Sequence, residues 1–252
     1  MRAVPQTWYD GEIRRFVRLD TADPPPRGGV LFLGSSIFRE WREMRDFEAD
    51  FAPIPVLNRA FGGSETIDQL EVMEQIVFPH EPRVVVYYCG SNDLNVGVPP
   101  AQILDNFRKW CERARQRLGP DLRVVFVSVM KAPQKKPVWD LLDETNRLVA
   151  EYCHGGGGGG GGGGANTNTR FLDVNGAFFD EVTGQPRDEL YRVDGLHLYP
   201  DAYDELLRMM RGTVEEVWGE ATTTAAGTVG TTETGMGTDA CDDPFLPPGM
   251  RR

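Results

Sequence analysis

The chain is poor in the residues that most often carry metal or disulfide chemistry. It has three histidines and four cysteines in 252 residues, and Cys89, Cys111, Cys153 and Cys241 are widely spaced with no Cys-x-x-Cys pair. That spacing excludes the usual structural zinc motifs and suits thiols kept reduced inside a cell. Positive charge is also in deficit, with 27 Lys and Arg against 38 Asp and Glu and a net charge of −11 at pH 7. Binding to nucleic acid needs clustered bases that neutralise phosphates, so nucleic acid is excluded as the main partner. The acidity is instead a charge that keeps the protein in solution. No apolar run approaches the roughly 20 residues of a membrane span. The opening Met1-Arg2-Ala3-Val4-Pro5 leads into Trp8-Tyr9-Asp10-Gly11-Glu12 without the apolar stretch of a signal peptide. The expected location is therefore cytoplasmic.

Hydrophobic residues make up 40% of the chain, enough for a substantial core. Ten of the 29 glycines form one run, Gly155 to Gly164. From Gly219 onward the chain is rich in Thr, Gly and Ala, a composition that buries too little surface to offset its ordering entropy. The expected folding unit is residues 1–218, with 155–164 as a low-complexity insertion and 219–252 as a disordered tail. The glycine run falls in a helix-to-strand connection, which tolerates extra length because closure entropy grows only with the logarithm of loop length.

Five short apolar runs predict buried strands: Val30-Leu31-Phe32-Leu33, Val56-Leu57, Val84 to Tyr88, Val124 to Val127 and Phe171 to Val174. Helix-period segments lie between them, one through Ile103, Phe107, Trp110, Cys111 and Leu118, another through Val138, Leu142, Thr145, Val149 and Tyr152. A last helix carries Leu206, Leu207, Met210, Val214 and Val217. This alternation implies an α/β fold with a parallel sheet covered on both faces, in which a ligand site lies beyond the carboxyl ends of the strands.

The segments that follow the strands carry the candidate chemistry. Ser36 opens a helix after the first strand, where backbone N–H groups favour negative charge; an N-cap hydroxyl is the alternative. A serine nucleophile needs a base. His80 and His154 lie on the amino side of the sheet, which leaves His197 in Asp194-Gly195-Leu196-His197. Asp194, three residues earlier, is within reach of the imidazole Nδ1 across a tight turn. Gly63 and Asn92 can present a backbone N–H and a side-chain amide to an oxyanion, although turn geometry and an Asx turn also explain them. Asp93 reads as a structural acceptor of backbone amides. Trp41, Phe61, Asn95 and Trp139 are candidates for the substrate side, with packing as the alternative for each. Lys131, after the fourth strand, is either a pocket residue or an ordinary surface lysine.

Four blocks occur in order: Gly34-Ser35-Ser36, Gly62-Gly63-Ser64, Gly90-Ser91-Asn92-Asp93 and Asp194-Gly195-Leu196-His197. Together they make the sequence resemble the SGNH hydrolase superfamily, also called GDSL esterases and lipases, over nearly all of residues 8–218. It is most similar to the bacterial-type subgroup with a Gly-Ser-Ser first block and a Trp seven positions after the Gly, here Trp41. Ser35 stands where the commonest family pattern has Asp. The resemblance implies a three-layer α/β/α sandwich with a five-stranded parallel sheet, flavodoxin-like in topology. It also implies a Ser36–His197–Asp194 triad, with an oxyanion hole from the Ser36 and Gly63 backbone N–H groups and the Asn92 amide. The α/β-hydrolase elbow Gly-x-Ser-x-Gly is absent.

The expected activity is hydrolysis of carboxylic esters through an acyl-enzyme, without cofactor or metal, on a small-molecule or carbohydrate ester. Trp41, Asn95 and Lys131 are the expected substrate-binding residues. The competing reading is a catalytically degenerate module that binds an acylated carbohydrate or peptide. A dinucleotide site is disfavoured because Gly-x-Gly-x-x-Gly is missing after the first strand.

Overall fold

The computed structural model describes residues 7–155 and 168–229. The five apolar runs form one parallel sheet in the order β2-β1-β3-β4-β5, with β1 at Val30–Gly34, β2 at Val56–Asn58, β3 at Val84–Tyr88, β4 at Arg123–Val127 and β5 at Thr169–Leu172. The last strand begins and ends two residues earlier than Phe171–Val174, because pairing with Val124 to Val127 runs from Thr169 to Leu172. Asp173 and Val174 already belong to the turn beyond it, where Val174 donates its N–H to the Ser128 hydroxyl.

Side chains of successive strand residues point to opposite faces, and each face has its own core. Phe32, Val84, Val86, Tyr88, Val125 and Val127 pack on one side. They meet α2 (Ser36–Met44), α3 (Phe47–Phe51) and the long α9 (Ala202–Val229). Leu31, Leu33, Val85, Tyr87, Val124 and Phe126 fill the other side. There they meet α1 (Asp10–Ala22), α5 (Met73–Ile76), α7 (Pro100–Leu118) and α8 (Trp139–Cys153). Short α4 (Thr66–Glu71) and α6 (Ser91–Asn95) follow β2 and β3 at the carboxyl end of the sheet. A sheet buried on both faces requires near-continuous apolar strands, which these are.

Helix α9 passes through Gly219, so the expected boundary at residue 218 falls inside a helix. Ala202, Leu206, Met210, Val214, Val217 and Ala221 continue one buried stripe. Glu220 accepts from the guanidinium groups of Arg123 and Arg170, which fixes the helix to β4 and β5 past the glycine. A helix interior glycine costs only about 1 kcal/mol, and adding residues to an existing helix needs no new nucleus. Residues 156–167, with most of the glycine run, and residues 230–252, with Cys241, lie outside the described residues.

Strand order reverses between β1 and β3, each of which has neighbours on opposite sides of this point. At that place β1 ends on Gly34, with φ +142°, against β3; a Cβ there would collide with the Tyr88 carbonyl oxygen. Only glycine allows the chain to turn there and present Ser35 N–H to that same carbonyl at 3.1 Å.

On the opposite, amino side, His80 is buried with Nε2 3.4 Å from Asp20 Oδ2, and Asp20 also receives the Arg59 guanidinium. Burial pushes the imidazole below its usual 6.5, Asp20 opposes this, and Arg59 and Arg27 add to it. The unfolded chain then binds a proton that the folded one resists, so the neutral imidazole contributes stability above about pH 6.5 that is lost on acidification. Melting temperature should fall as pH drops below that value, and His80→Gln should flatten part of the slope. An unchanged slope would show that His80 titrates alike in both states.

Candidate active site

Helix α2 begins at Ser36 directly after extended Ser35, so the serine sits on the first turn with its side chain at the carboxyl end of β1. The opposing loop is shaped by its own backbone. Arg192 N–H donates to the His197 carbonyl at 2.7 Å, and Gly195 N–H to the Arg192 carbonyl at 2.8 Å. Gly195, at φ +65°, makes this turn possible. Within it, Asp194 Oδ1 accepts the backbone N–H groups of Leu196 and His197, each at 2.9 Å. Asp194 Oδ2 lies 2.7 Å from His197 Nδ1, and His197 Nε2 lies 3.1 Å from Ser36 Oγ.

These partners set the tautomer. A carboxylate can only accept, so Nδ1 carries the proton and Nε2 offers its lone pair to the serine hydroxyl. Partial burial would raise the Asp194 carboxyl, but the bonds from the imidazole and the two amides outweigh it and hold the group at about 2. Asp194 is therefore a carboxylate throughout the pH range in which proteins are assayed.

The loop after β2 supplies the next wall. Phe61 N–H donates to the Gly34 carbonyl at 2.9 Å and Ser64 Oγ to the same carbonyl at 3.1 Å. Gly63 lies between these anchors at φ +75°. The Trp8 ring covers it so closely that a Cβ at Gly63 would come within 3.0 Å. Asn92 commits one amide hydrogen to the Ser64 carbonyl at 3.0 Å, leaving the second for the cleft. Neighbouring Asp93 is buried and accepts both the Thr66 N–H and its hydroxyl, at 3.0 and 2.5 Å. Desolvation pushes its carboxyl up against those bonds.

Ser36, Gly63, Asn92 and His197 line one open cleft of about 450 Å³. An arrangement of a hydroxyl, an imidazole held by a carboxylate, and amide donors around one space can transfer an acyl group from an ester to water. The cleft also contains residues absent from the expected set. Trp8 and Tyr9 come from the turn just before α1, Glu12 from its first turn, and Arg39 from α2. Tyr9 is tied to Glu71 at 2.5 Å and Glu12 to Arg42 at 2.9 Å, so α1 is fastened down as a wall. Arg39 had a signal, since residues three apart on a helix share a face with Ser36. Trp8, Tyr9 and Glu12 had none, because nothing local brings the start of an N-terminal helix beside the carboxyl ends of the strands.

Phe61 lines the cleft. The three expected substrate-binding residues do not. Trp41 is fully buried and donates Nε1–H to Asp50 at 2.7 Å. Asn95 is exposed and accepts from Lys135 Nζ at 2.7 Å. Lys131 pairs with Asp143 at 2.7 Å and lies over the Trp139 ring in a separate depression beside β5. The reason is the sheet order: β4 is two strands from β1, roughly 10 Å sideways. Trp139 stays with Lys131 there, its Nε1–H bonded to the Ala132 carbonyl.

Among the described residues no group of three or more His, Cys, Asp or Glu is placed to hold a metal ion. Cys111 and Cys153 are buried thiols pushed up to about 12 by desolvation, which keeps them protonated and poorly nucleophilic. No helix of the described residues is long and apolar enough to cross a membrane.

A sequence model of the GDSL-like lipase/acylhydrolase family matches residues 32–205. No curated protein sequence matches the chain significantly. Among solved structures, one from Bacteroides fragilis assigned as an acylhydrolase aligns with TM-score 0.69 and 17% identity, over 85% of this chain and 100% of that one. A GDSL-like lipase from Bacteroides thetaiotaomicron aligns with TM-score 0.63 and 17% identity, over 81% and 97%. A catalytic mutant of an acetylxylan esterase from Geobacillus stearothermophilus aligns with TM-score 0.56 and 16% identity, over 75% and 95%. At these identities the likeness is one of fold.

Proposed function

The chain belongs to the GDSL-like lipase/acylhydrolase family, and from that premise we propose that it is a serine esterase whose nucleophile is Ser36, whose base is His197 and whose orienting carboxylate is Asp194. The observation that carries this reading is the unbroken line Ser36 Oγ–His197 Nε2–His197 Nδ1–Asp194 Oδ2, at 3.1 and 2.7 Å.

As Ser36 Oγ attacks the ester carbonyl, its proton passes to His197 Nε2, and Asp194 stabilises the imidazolium without taking the proton. The carbonyl oxygen becomes an oxyanion and accepts from the Ser36 and Gly63 backbone N–H groups and from the second Asn92 amide hydrogen. Collapse of this intermediate breaks the bond to the alkoxide, which leaves with the Nε2 proton as an alcohol. Water then attacks the acyl-enzyme, giving its proton to Nε2, and the acid departs as Ser36 recovers its hydroxyl.

The substrate we assign is the ester of a short acyl group on a small molecule or carbohydrate. The cleft is open, and its walls combine the rings of Trp8 and Phe61 with the charged Arg39 and Glu12. Such walls suit a polar alcohol better than a long acyl chain. Purified protein should hydrolyse nitrophenyl acetate faster than nitrophenyl palmitate. The opposite order would overturn the short-acyl assignment, and no hydrolysis of any chain length would overturn the activity.

Asn92→Ala should lower kcat by about 10²–10³ while leaving KM within a few-fold, because its amide acts on charge that exists only after attack. An equal loss carried by KM would mean that Asn92 binds ground-state substrate instead.

A further inference from the structure

Glu40 is a buried carboxylate one helical turn after Ser36, with its side chain 6% exposed. A carboxylate this deep is costly unless paired, and two guanidinium groups supply the pairing. Oε1 accepts from Arg39 Nη2 at 2.9 Å and Oε2 from Arg192 Nη2 at 2.8 Å. Arg192 in turn donates Nε–H to the Leu198 carbonyl at 3.0 Å, so the pair joins helix α2 to the loop that carries His197. The third neighbour is less expected. Glu40 Oε1 lies 3.7 Å from His197 Nε2, the same nitrogen that faces Ser36 Oγ.

We propose that Glu40 is a positioning residue that acts through His197: a second carboxylate, opposite Asp194, that favours the imidazolium and is held in check by Arg192 and Arg39. This deepens the serine-esterase reading and rests on it. While Nε2 carries only its lone pair, Glu40 has nothing to accept from it and repels it. Once Nε2 has taken the Ser36 proton, the same carboxylate attracts the cation. The effect must be tempered, because an imidazolium favoured too strongly would leave no free base at neutral pH. Arg192 and Arg39, bonded to the two carboxylate oxygens, supply that restraint.

Among the described residues, the other charged and polar groups near this imidazole are few. Asp194 and Arg192 lie on its own loop, Ser36, Arg39 and Glu40 on α2, Glu12 on α1 and Asn92 on α6. From α9, the Tyr203 hydroxyl is buried and donates to the Ile37 carbonyl at 2.9 Å, which leaves it no proton to give Glu40. Of these, Glu40 and Ser36 address Nε2 directly.

The test is the rate at which a small fluorophosphonate labels Ser36, followed from about pH 4 to 9, in wild type, Glu40→Gln and Arg192→Met. Glu40→Gln should move the acid-side midpoint to lower pH by about half a unit or more, as expected for a charge 3.7 Å from the base, and Arg192→Met, which frees Glu40 from its clamp, should move it higher. The double variant should fall between them. Proton NMR titration of the three imidazole rings should show the same displacements for His197 without any turnover. If Glu40→Gln does not fold, Glu40→Asp, which keeps the charge but draws it back from Nε2, should move the midpoint in the same direction by a smaller amount. Wild type that fails to react with the probe, or Ser36→Ala that still reacts, removes the esterase reading itself. Normal labelling of Ser36 with midpoints unmoved, or moved the same way in both variants, makes Glu40 a structural ion pair only and overturns the inference.

Discussion

Ser36→Ala should lower ester hydrolysis by about 10⁵-fold or more with the melting temperature nearly unchanged. Losses of this order follow when the nucleophile of a coupled triad is removed, because histidine and aspartate have no substitute hydroxyl to activate. Ser36 is only partly buried, and its side-chain hydrogen bond is to His197, so the hydroxyl contributes little to folding. The control is a fluorophosphonate, which should label wild type and not the variant. Turnover within about tenfold of wild type would show that the chemistry is elsewhere. If wild type neither turns over esters nor takes the label, the cleft is that of a binding module for an acylated ligand, with catalysis lost.

Trp41→Ala should cost about 3–5 kcal/mol of stability, the range for emptying a buried aromatic site. At roughly 2–4 °C per kcal/mol for a domain of this size, the melting temperature should drop by about 6–20 °C. Its ring touches those of Phe47, Phe51 and Tyr203, with centroids 5.7, 5.5 and 5.4 Å away, which ties α2 to α3 and α9. Trp41→Phe should recover much of that loss and leave KM unchanged. A KM raised by Trp41→Phe in a protein of normal stability would restore the substrate-binding role that the sequence suggested.

Trp41 stands away from the cleft for a reason set by helix geometry. At about 100° per residue, Arg39 returns to within about 60° of the Ser36 face, while Trp41 points about 140° away from it. The motif spacing singled out the tryptophan, but the helix turns the arginine toward the cleft. Asn95 and Lys131 stand outside the cleft for a different cause, since both follow strands at the end of the sheet where the cleft lies. Their lateral positions depend on strand order and on partners, Lys135 and Asp143, that proximity in sequence does not reveal.

By itself, the sequence determined the layers, the end of the sheet at which the candidate cleft lies and the short list of candidate groups around it. These follow from local causes: period-2 and period-3.6 hydrophobic patterns, glycine where a backbone must pass close, and three histidines of which two lie on the amino side. The four blocks then named Ser36, Gly63, Asn92, Asp194 and His197 in order, and the fold brings all but Asp194 directly to one cleft, with Asp194 behind the imidazole. Only the tertiary structure decided what surrounds them. Trp8 and Glu12 reach the cleft because α1, packed on one face of the sheet, brings its N-terminal end to the carboxyl ends of the strands, and α9 continues past Gly219 because Glu220 finds two arginines on the sheet. Glu40 meets Arg192 across 152 positions. Contacts of that kind arise from how strands order themselves and helices dock, which depends on the packing of the whole core and leaves no periodic trace in the chain.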